Sequence, residues 1–150
     1  MANIWKKEFE IKDLNLFRKD TILENMGIEF LEKGEDFISA IMPVDKRTRQ
    51  PLGLLHGGAS VVLAETLGST ASYMALDESF YSVGLEIKAN HLRSVTQGWV
   101  KGVVRPVHLG KSTQVWDISI EDEQQKLICV SRLTMAVLKT PPDWDGSALL

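Results

Sequence analysis

The residues able to do chemistry are His56-Gly57-Gly58 and, eight positions after the first of those glycines, Glu65. At a helix N-terminus the first backbone N–H groups lack an intrahelical partner and carry the positive end of the dipole; glycine lets a ligand oxygen approach them. Donors so placed suit an oxyanion hole for acyl transfer. Glu65 is the one residue with a full charge between Leu54 and Leu76. Burying a lone carboxylate costs roughly several kcal/mol unless something compensates it. Either the segment is exposed there or Glu65 has a task, attack on a carbonyl or activation of a water.

Eight helical residues span about 12 Å, further than a Glu side chain reaches. Two copies of the helix running antiparallel across a two-fold axis would let each lend its N-terminus to the other's Glu65. A homodimer with shared active sites is therefore expected, and the small residues Gly58, Ala59, Ser60, Ala64, Gly68, Ser69, Ala71, Ser72 and Ala75 suit close packing across it. No Ser-His-Asp set is visible to help expel an amine or alkoxide. A thiol, with a reference pKa of about 8.5, leaves without much protonation, which favours a thioester over an amide.

The element that must carry these groups is a helix opening at His56. Ala59, Val62, Leu63, Thr66, Ser69, Thr70 and Tyr73 recur at a three-and-four spacing, and Val61, Ala64 and Leu67 lie off that stripe, so the helix reads as buried on most sides. Upstream, Leu14, Leu16, Phe17, Ile22, Leu23 and Met26 line one or two short helices between Lys12 and Met26, with Thr21 and Glu24 at capping-box spacing and Gly27 as a stop. Residues 1–10 read as an edge strand or entry segment. Ile28–Leu31 and Phe37–Met42 read as a hairpin about a turn of charged residues and Gly34. Downstream, four alternating runs, Phe80–Leu92, Gly98–Val107, Ser112–Ile120 and Leu127–Leu138, are joined by short turns. Consecutive strands of that kind imply an antiparallel sheet, and one long buried helix implies that the sheet curves around it, an α+β fold.

Composition bounds the rest. A chain of 150 residues fits one domain, here 1–138, followed by a Pro- and acid-containing tail, 139–150, expected to be flexible. The formal charge of −3 points to neither nucleic acid nor an anionic membrane. The lone thiol, Cys129, excludes an intrachain disulfide and fits a reducing compartment, and its strand neighbours mark it as a buried small hydrophobe. The three histidines, His56, His91 and His108, are too scattered for zinc-ligand spacing, so no metal is expected. The N-terminus has no apolar run of signal-peptide length, which sets the expectation of a cytoplasmic protein. A membrane span is rejected for the long helix because Gly, Ser, Thr and a central Glu interrupt it.

Residues 47–69 (RTRQPLGLLHGGASVVLAETLGS), 82–94 (SVGLEIKANHLRS) and 108–123 (HLGKSTQVWDISIEDE) resemble the hotdog-fold acyl-CoA thioesterases, in the branch that includes 4-hydroxybenzoyl-CoA thioesterase. Within that branch they are most similar to the menaquinone-pathway 1,4-dihydroxy-2-naphthoyl-CoA thioesterases and the enterobactin-pathway proofreading thioesterases. The resemblance covers Trp5 to Leu138. It implies a hotdog fold, a curved antiparallel sheet around one long helix, and a tetramer built from two dimers. It implies Glu65 as catalytic carboxylate, nucleophile or general base, Gly57 as donor to the thioester oxygen, and Gln50 and His56 as orienting groups. Ser69 then matches a position near the reacting group, Thr70 one where acyl-pocket residues vary between relatives, and Gly84 a substrate-binding position. His91, Leu92, Arg93 and Ser94, with His108, Leu109, Gly110 and Lys111, match segments that contact coenzyme A, which is part of the substrate, so no separate cofactor is implied.

Blander readings stand beside these. His56 alone would serve as a helix cap, Glu65 as an ion-pair partner across an interface, and His91, Arg93 and His108 as solvated polar residues at strand ends. Trp99, Trp116 and Phe80 read as sheet-packing residues. Two other functions compete with thioester hydrolysis: a hotdog hydratase or dehydratase, which lacks a second well-placed acid here, and a non-catalytic acyl-CoA binder, which an intact Glu65 disfavours.

Overall fold

The computed structural model describes residues 2–144; Met1 and residues 145–150 lie outside it. Two short helices, α1 (Ile11–Leu16) and α2 (Ile22–Met26), precede the hairpin β1 (Glu29–Lys33) and β2 (Ile38–Pro43). The long helix α3 (Gly57–Met74) follows, and then β3 (Phe80–His91), β4 (Trp99–Leu109), β5 (Thr113–Glu121) and β6 (Leu127–Lys139). All six strands form one antiparallel sheet in the order β1-β2-β4-β5-β6-β3. Helix α3 packs against β2 through β6, the arrangement of the expected hotdog fold.

Local signals set most of these elements. Thr21 caps α2 by accepting the Leu23 N–H at 3.2 Å, and Gly27 ends it in the left-handed conformation at φ 71°. Glu24 reaches back to the Asp20 N–H at 2.7 Å, one residue before the position that a capping box requires. Alternation in β5 is complete, with Gln114, Trp116, Ile118 and Ile120 buried and the residues between them half-exposed. Leu63, Leu67, Trp116 and Leu133 are fully buried, and burying a large apolar side chain contributes about 1.5–3 kcal/mol.

Two expectations need correction. The buried stripe of α3 is Ser60, Leu63, Ala64, Leu67, Gly68, Ala71 and Ser72. Of the predicted stripe only Ala59 and Leu63 are buried, while Val62, Thr66, Ser69, Thr70 and Tyr73 are half-exposed together with Glu65. Small and apolar residues surround the whole helix, so its sequence carries little phase information. The second correction concerns connectivity. Strand β3 does not neighbour β4 but lies beyond β6 at the far edge of the sheet. Residues 92–98 cross the end of the sheet to reach β4, held by Leu92 N–H to Ile128 O, Leu55 N–H to Val95 O and Val44 N–H to Gly98 O, each at 2.7 Å.

The N-terminal segment forms no strand and instead closes one end of the fold. The Trp5 ring stacks on Trp116 at 6.5 Å, and its indole N–H donates to Gly34 O at 2.7 Å. The Lys7 ammonium donates to Tyr73 O at 3.1 Å and to Leu76 O, a cation at the negative end of α3. At the other terminus Thr140 N–H donates to Ser79 O at 2.9 Å, and Trp144 packs on Tyr81 with ring centroids 5.3 Å apart. The remainder of the expected flexible tail, 145–150, lies outside the described residues.

Candidate functional site

The loop before α3 is tightly built. Thr48 Oγ1 donates to Pro43 O at 2.7 Å, and the Arg47 guanidinium holds both Asp45 oxygens, which brings the Asp45 carboxyl down to about 2. Gln50 N–H donates to Leu54 O at 2.8 Å, and Gln50 Oε1 accepts the Leu52 N–H. With its oxygen taken, the Gln50 side chain has its NH2 group to offer a ligand.

His56 is the N-cap of α3, its Nδ1 accepting the Gly58 N–H at 2.8 Å. That bond fixes the tautomer: Nδ1 is unprotonated, so Nε2 carries the proton and is a donor. Capping and orienting a ligand are thus compatible roles for this residue. The Gly57 N–H meets no acceptor among the described residues. A Cβ at Gly57 would lie 2.8 Å from His91 Nε2, so glycine is what lets the imidazole sit against the helix start. Gln50, Leu54, Leu55, Gly57, His91, Leu92, Arg93 and Ser94 surround one open hollow of about 410 Å³. Residues 40 positions apart in sequence meet there because β3 ends beside the N-terminus of α3.

Glu65 sits two turns further along. Burial raises its pKa above the ordinary value, and a 3.4 Å hydrogen bond donated by Ser69 Oγ opposes that rise. A Cβ on Gly84 would lie 2.7 Å from Glu65 Oε1, so β3 is bare of side chain at the one place where the carboxylate leans on it. No basic side chain pairs with Glu65 among the described residues. Ser69 and Thr70 lead from the carboxylate into a cavity of about 610 Å³, walled by Phe9, Leu14, Phe17, Phe30, Tyr73 and Met74 and by Ser82 of β3. Its volume is in the range of small-ligand sites. Two of its four aromatic residues, Phe9 and Phe17, come from the N-terminal segment and the end of α1, for which the sequence offers no site signal; Phe30 comes from β1 and Tyr73 from α3. A separate cavity of about 400 Å³, lined by Lys88, Arg105, Asp117 and Arg132 among others, lies on the sheet face turned away from α3, where Asp117 and Arg132 pair at 2.6 Å.

Within one chain the site residues fall into three groups. Gln50, His56, Gly57 and His91–Ser94 form the first; Glu65, Ser69, Thr70 and Gly84 form the second, about 12 Å along the helix. His108, Leu109, Gly110 and Lys111 form the third, at the β4–β5 turn. Leu109 shares a sheet row with Gln114, Met135 and Gly84, whereas His91 pairs with Cys129, six residues or about 20 Å along β6. A single copy therefore does not bring this third group to the hollow at Gly57. Cys129, the ladder partner of His91 on β6, is buried, and that burial pushes its thiol up. Among the described residues no cluster of His, Cys, Asp and Glu is placed to hold a metal, and no helix is long and apolar enough to cross a membrane.

Residues 52–129 match the family model described as the thioesterase superfamily. The 1,4-dihydroxy-2-naphthoyl-CoA hydrolase of Escherichia coli is 50% identical over 135 residues, covering 90% of this chain and 99% of that protein. The proofreading thioesterase EntH of Cronobacter turicensis is 50% identical over 135 residues, covering 90% and 98%. Among solved structures, a thioesterase from Haemophilus influenzae superposes with a TM-score of 0.89 at 50% identity, covering 91% of this chain and 95% of the other.

Proposed function

Since the chain belongs to the thioesterase superfamily and is a thioester hydrolase, we propose that it hydrolyses aromatic acyl-CoA thioesters, of the 1,4-dihydroxy-2-naphthoyl or hydroxybenzoyl kind, with Glu65 as the catalytic carboxylate. The observation that carries this reading is the position of Glu65: raised in pKa by burial, without an ion-pair partner among the described residues, and beside the mouth of an aromatic-walled cavity. The acyl group fills that cavity, and coenzyme A extends from it over polar residues at the strand ends.

The active unit is a homodimer. Strand β3 is a twelve-residue edge strand with one side unpaired and with Val83 and Leu85 exposed beside it, 42% and 61%. A long apolar edge of this kind invites another strand. Antiparallel pairing of two β3 strands sets two α3 helices side by side in opposite directions. The half-exposed face of each, with Val62, Glu65, Thr66 and Ser69, then meets its counterpart, and Gly57 of one copy closes on Glu65 of the other. Two such dimers form the tetramer, which would bring the His108–Lys111 turn of another copy toward the coenzyme A path.

In the reaction the thioester oxygen accepts the Gly57 N–H, with the helix dipole behind it. Oxygen is delivered to the carbonyl carbon from water, whose proton Glu65 takes, or from Glu65 itself to give an anhydride that water then opens. In both routes the C–S bond breaks, the thiolate leaves with the electron pair, and the net change is thioester plus water to acid plus thiol. Glu65→Gln keeps the shape and removes the base. Thiol release from a panel of aryl- and alkyl-CoA thioesters should favour aryl groups and fall about 10²–10⁴-fold in that variant. Equal release by Glu65→Gln would refute the assignment, and absence of release from any substrate would favour the acyl-CoA binder. Incorporation of ¹⁸O from water into Glu65 during one turnover marks the anhydride route.

A further inference from the structure

Behind the acyl cavity lies a chain of side-chain hydrogen bonds whose direction the chemistry of its members fixes. Trp116, fully buried, places its indole N–H 3.0 Å from one oxygen-or-nitrogen position of the Gln114 amide. An indole N–H only donates, so that position is the carbonyl oxygen, Oε1. The same Oε1 lies 2.6 Å from Ser72 Oγ, and an amide oxygen only accepts, so the Ser72 hydroxyl donates its single proton there. Ser82 Oγ is 2.8 Å from Ser72 Oγ. With the Ser72 proton already committed, the proton between the two hydroxyls comes from Ser82. Ser72 and Gln114 are 0% and 2% exposed, so bulk water does not reset this order, and the low local dielectric strengthens it.

Ser82 therefore turns only lone pairs toward the cavity that it lines with Ser69, Thr70 and Tyr73. It precedes Gly84, the residue against Glu65, by two positions on the same face of β3, a separation of about 6.6 Å. An acyl group with its carbonyl at Glu65 that runs along β3 ends at Ser82. The Lys7 ammonium, the fixed cation in the cavity wall nearest α3, is engaged by Tyr73 O and Leu76 O.

We propose that Ser82 is a specificity-determining residue, a hydrogen-bond acceptor of fixed polarity that selects acyl groups carrying a hydroxyl donor at the end remote from the thioester. This rests on the aryl-CoA reading above. Ser72 is the positioning residue, since it acts on substrate only through Ser82. A methoxy group at the same place has no proton to give and sets oxygen lone pairs against those of Ser82.

The test compares kcat/KM for 4-hydroxybenzoyl-CoA and 4-methoxybenzoyl-CoA, with benzoyl-CoA as the reference. The native protein should favour hydroxyl over methoxy by about 10- to 100-fold, the range for leaving a half-buried polar group unpaired. Ser82→Ala should bring the ratio to about threefold or less, the discrimination left when one weak net hydrogen bond is gone. Ser72→Ala leaves the cavity wall in place but frees the Ser82 proton, so it should also collapse the ratio, by improving the methoxy substrate. A ratio that moves in Ser82→Ala and stays in Ser72→Ala means that Ser82 acts by size, and overturns the proposal. A ratio unchanged in both overturns it as well, while hydrolysis of all three substrates leaves the parent reading standing. Failure of the native protein to cleave any of them overturns both. Thermal midpoints close to native establish that each variant is folded.

Discussion

Gly84→Ala puts the contact between β3 and Glu65, the proposed catalytic carboxylate, to a quantitative test. The added Cβ would stand 2.7 Å from Glu65 Oε1, with Glu65 Cδ at 3.8 Å and Met135 Sδ at 3.9 Å. A carbon and a carboxylate oxygen rest at about 3.3 Å or more, so the oxygen must retreat by about 0.6 Å. The backbone need not move, because the obstructing atom is the end of a side chain and Gly84 does not require a left-handed φ. Replacing glycine inside a strand also removes its entropic penalty, worth roughly 0.5–1 kcal/mol. Folding stability should therefore stay within about 1 kcal/mol of native, while catalysis suffers. A displacement near 1 Å costs up to about 10²-fold in rate, so a fall in kcat of about 10- to 100-fold is expected, or about 1.4–2.7 kcal/mol in barrier. KM for aryl-CoA should change little, since the cavity wall at Thr70, Tyr73 and Phe30 is untouched. Thiol-release kinetics with a thermal melt on the same sample give both quantities. A folded Gly84→Ala protein with kcat within twofold of native would refute the claim that the position of this carboxylate limits the reaction.

The acid limb of the kcat/KM profile should lie above pH 4.3, the ordinary Glu value, because burial raises the Glu65 pKa and the base is lost on protonation. The same shift has the opposite sign for stability. The folded state binds the Glu65 proton more tightly than the unfolded state, so this group's contribution should improve as pH falls through that window; Glu65→Gln should remove both dependences. Mixing inactive Glu65→Ala with inactive Gly57→Pro should restore one working site per heterodimer, since proline is tolerated at the first helical position yet has no N–H to donate. No recovery in confirmed heterodimers counts against shared sites. Leu85→Lys places a charge on the exposed edge strand and should shift sedimentation toward the monomer with loss of activity; a fully active monomer would contradict the two-copy site.

Much of the fold was legible because it is local in origin. Gly27 ends a helix by its own conformational freedom, Gln114, Trp116, Ile118 and Ile120 alternate along β5, and His56-Gly57-Gly58 starts α3 where its capping chemistry permits. The candidate site was legible in the same measure. Once residues 57–74 are read as a helix, the eight positions between Gly57 and Glu65 separate donor and carboxylate by about 12 Å, more than a side chain can bridge.

What tertiary structure alone decided lies between segments that carry no local record of each other. Nothing in the strand runs says that β3 crosses to the far edge of the sheet, and that crossing brings His91 over Gly57 and Gly84 against Glu65. The phase of α3 was unreadable because apolar and small residues surround it; packing selected Leu63, Leu67 and Ala71 for the sheet and left Glu65 on the other face. Phe9 and Phe17 became cavity wall only because the N-terminal segment folds back across the end of α3. The polarity of Ser82 depends on Trp116, a donor 34 positions away, through two intermediates. Residue types determine which hydrogen bonds and burials are possible, but which of them are made is fixed by the one arrangement in which the whole sheet closes around the helix.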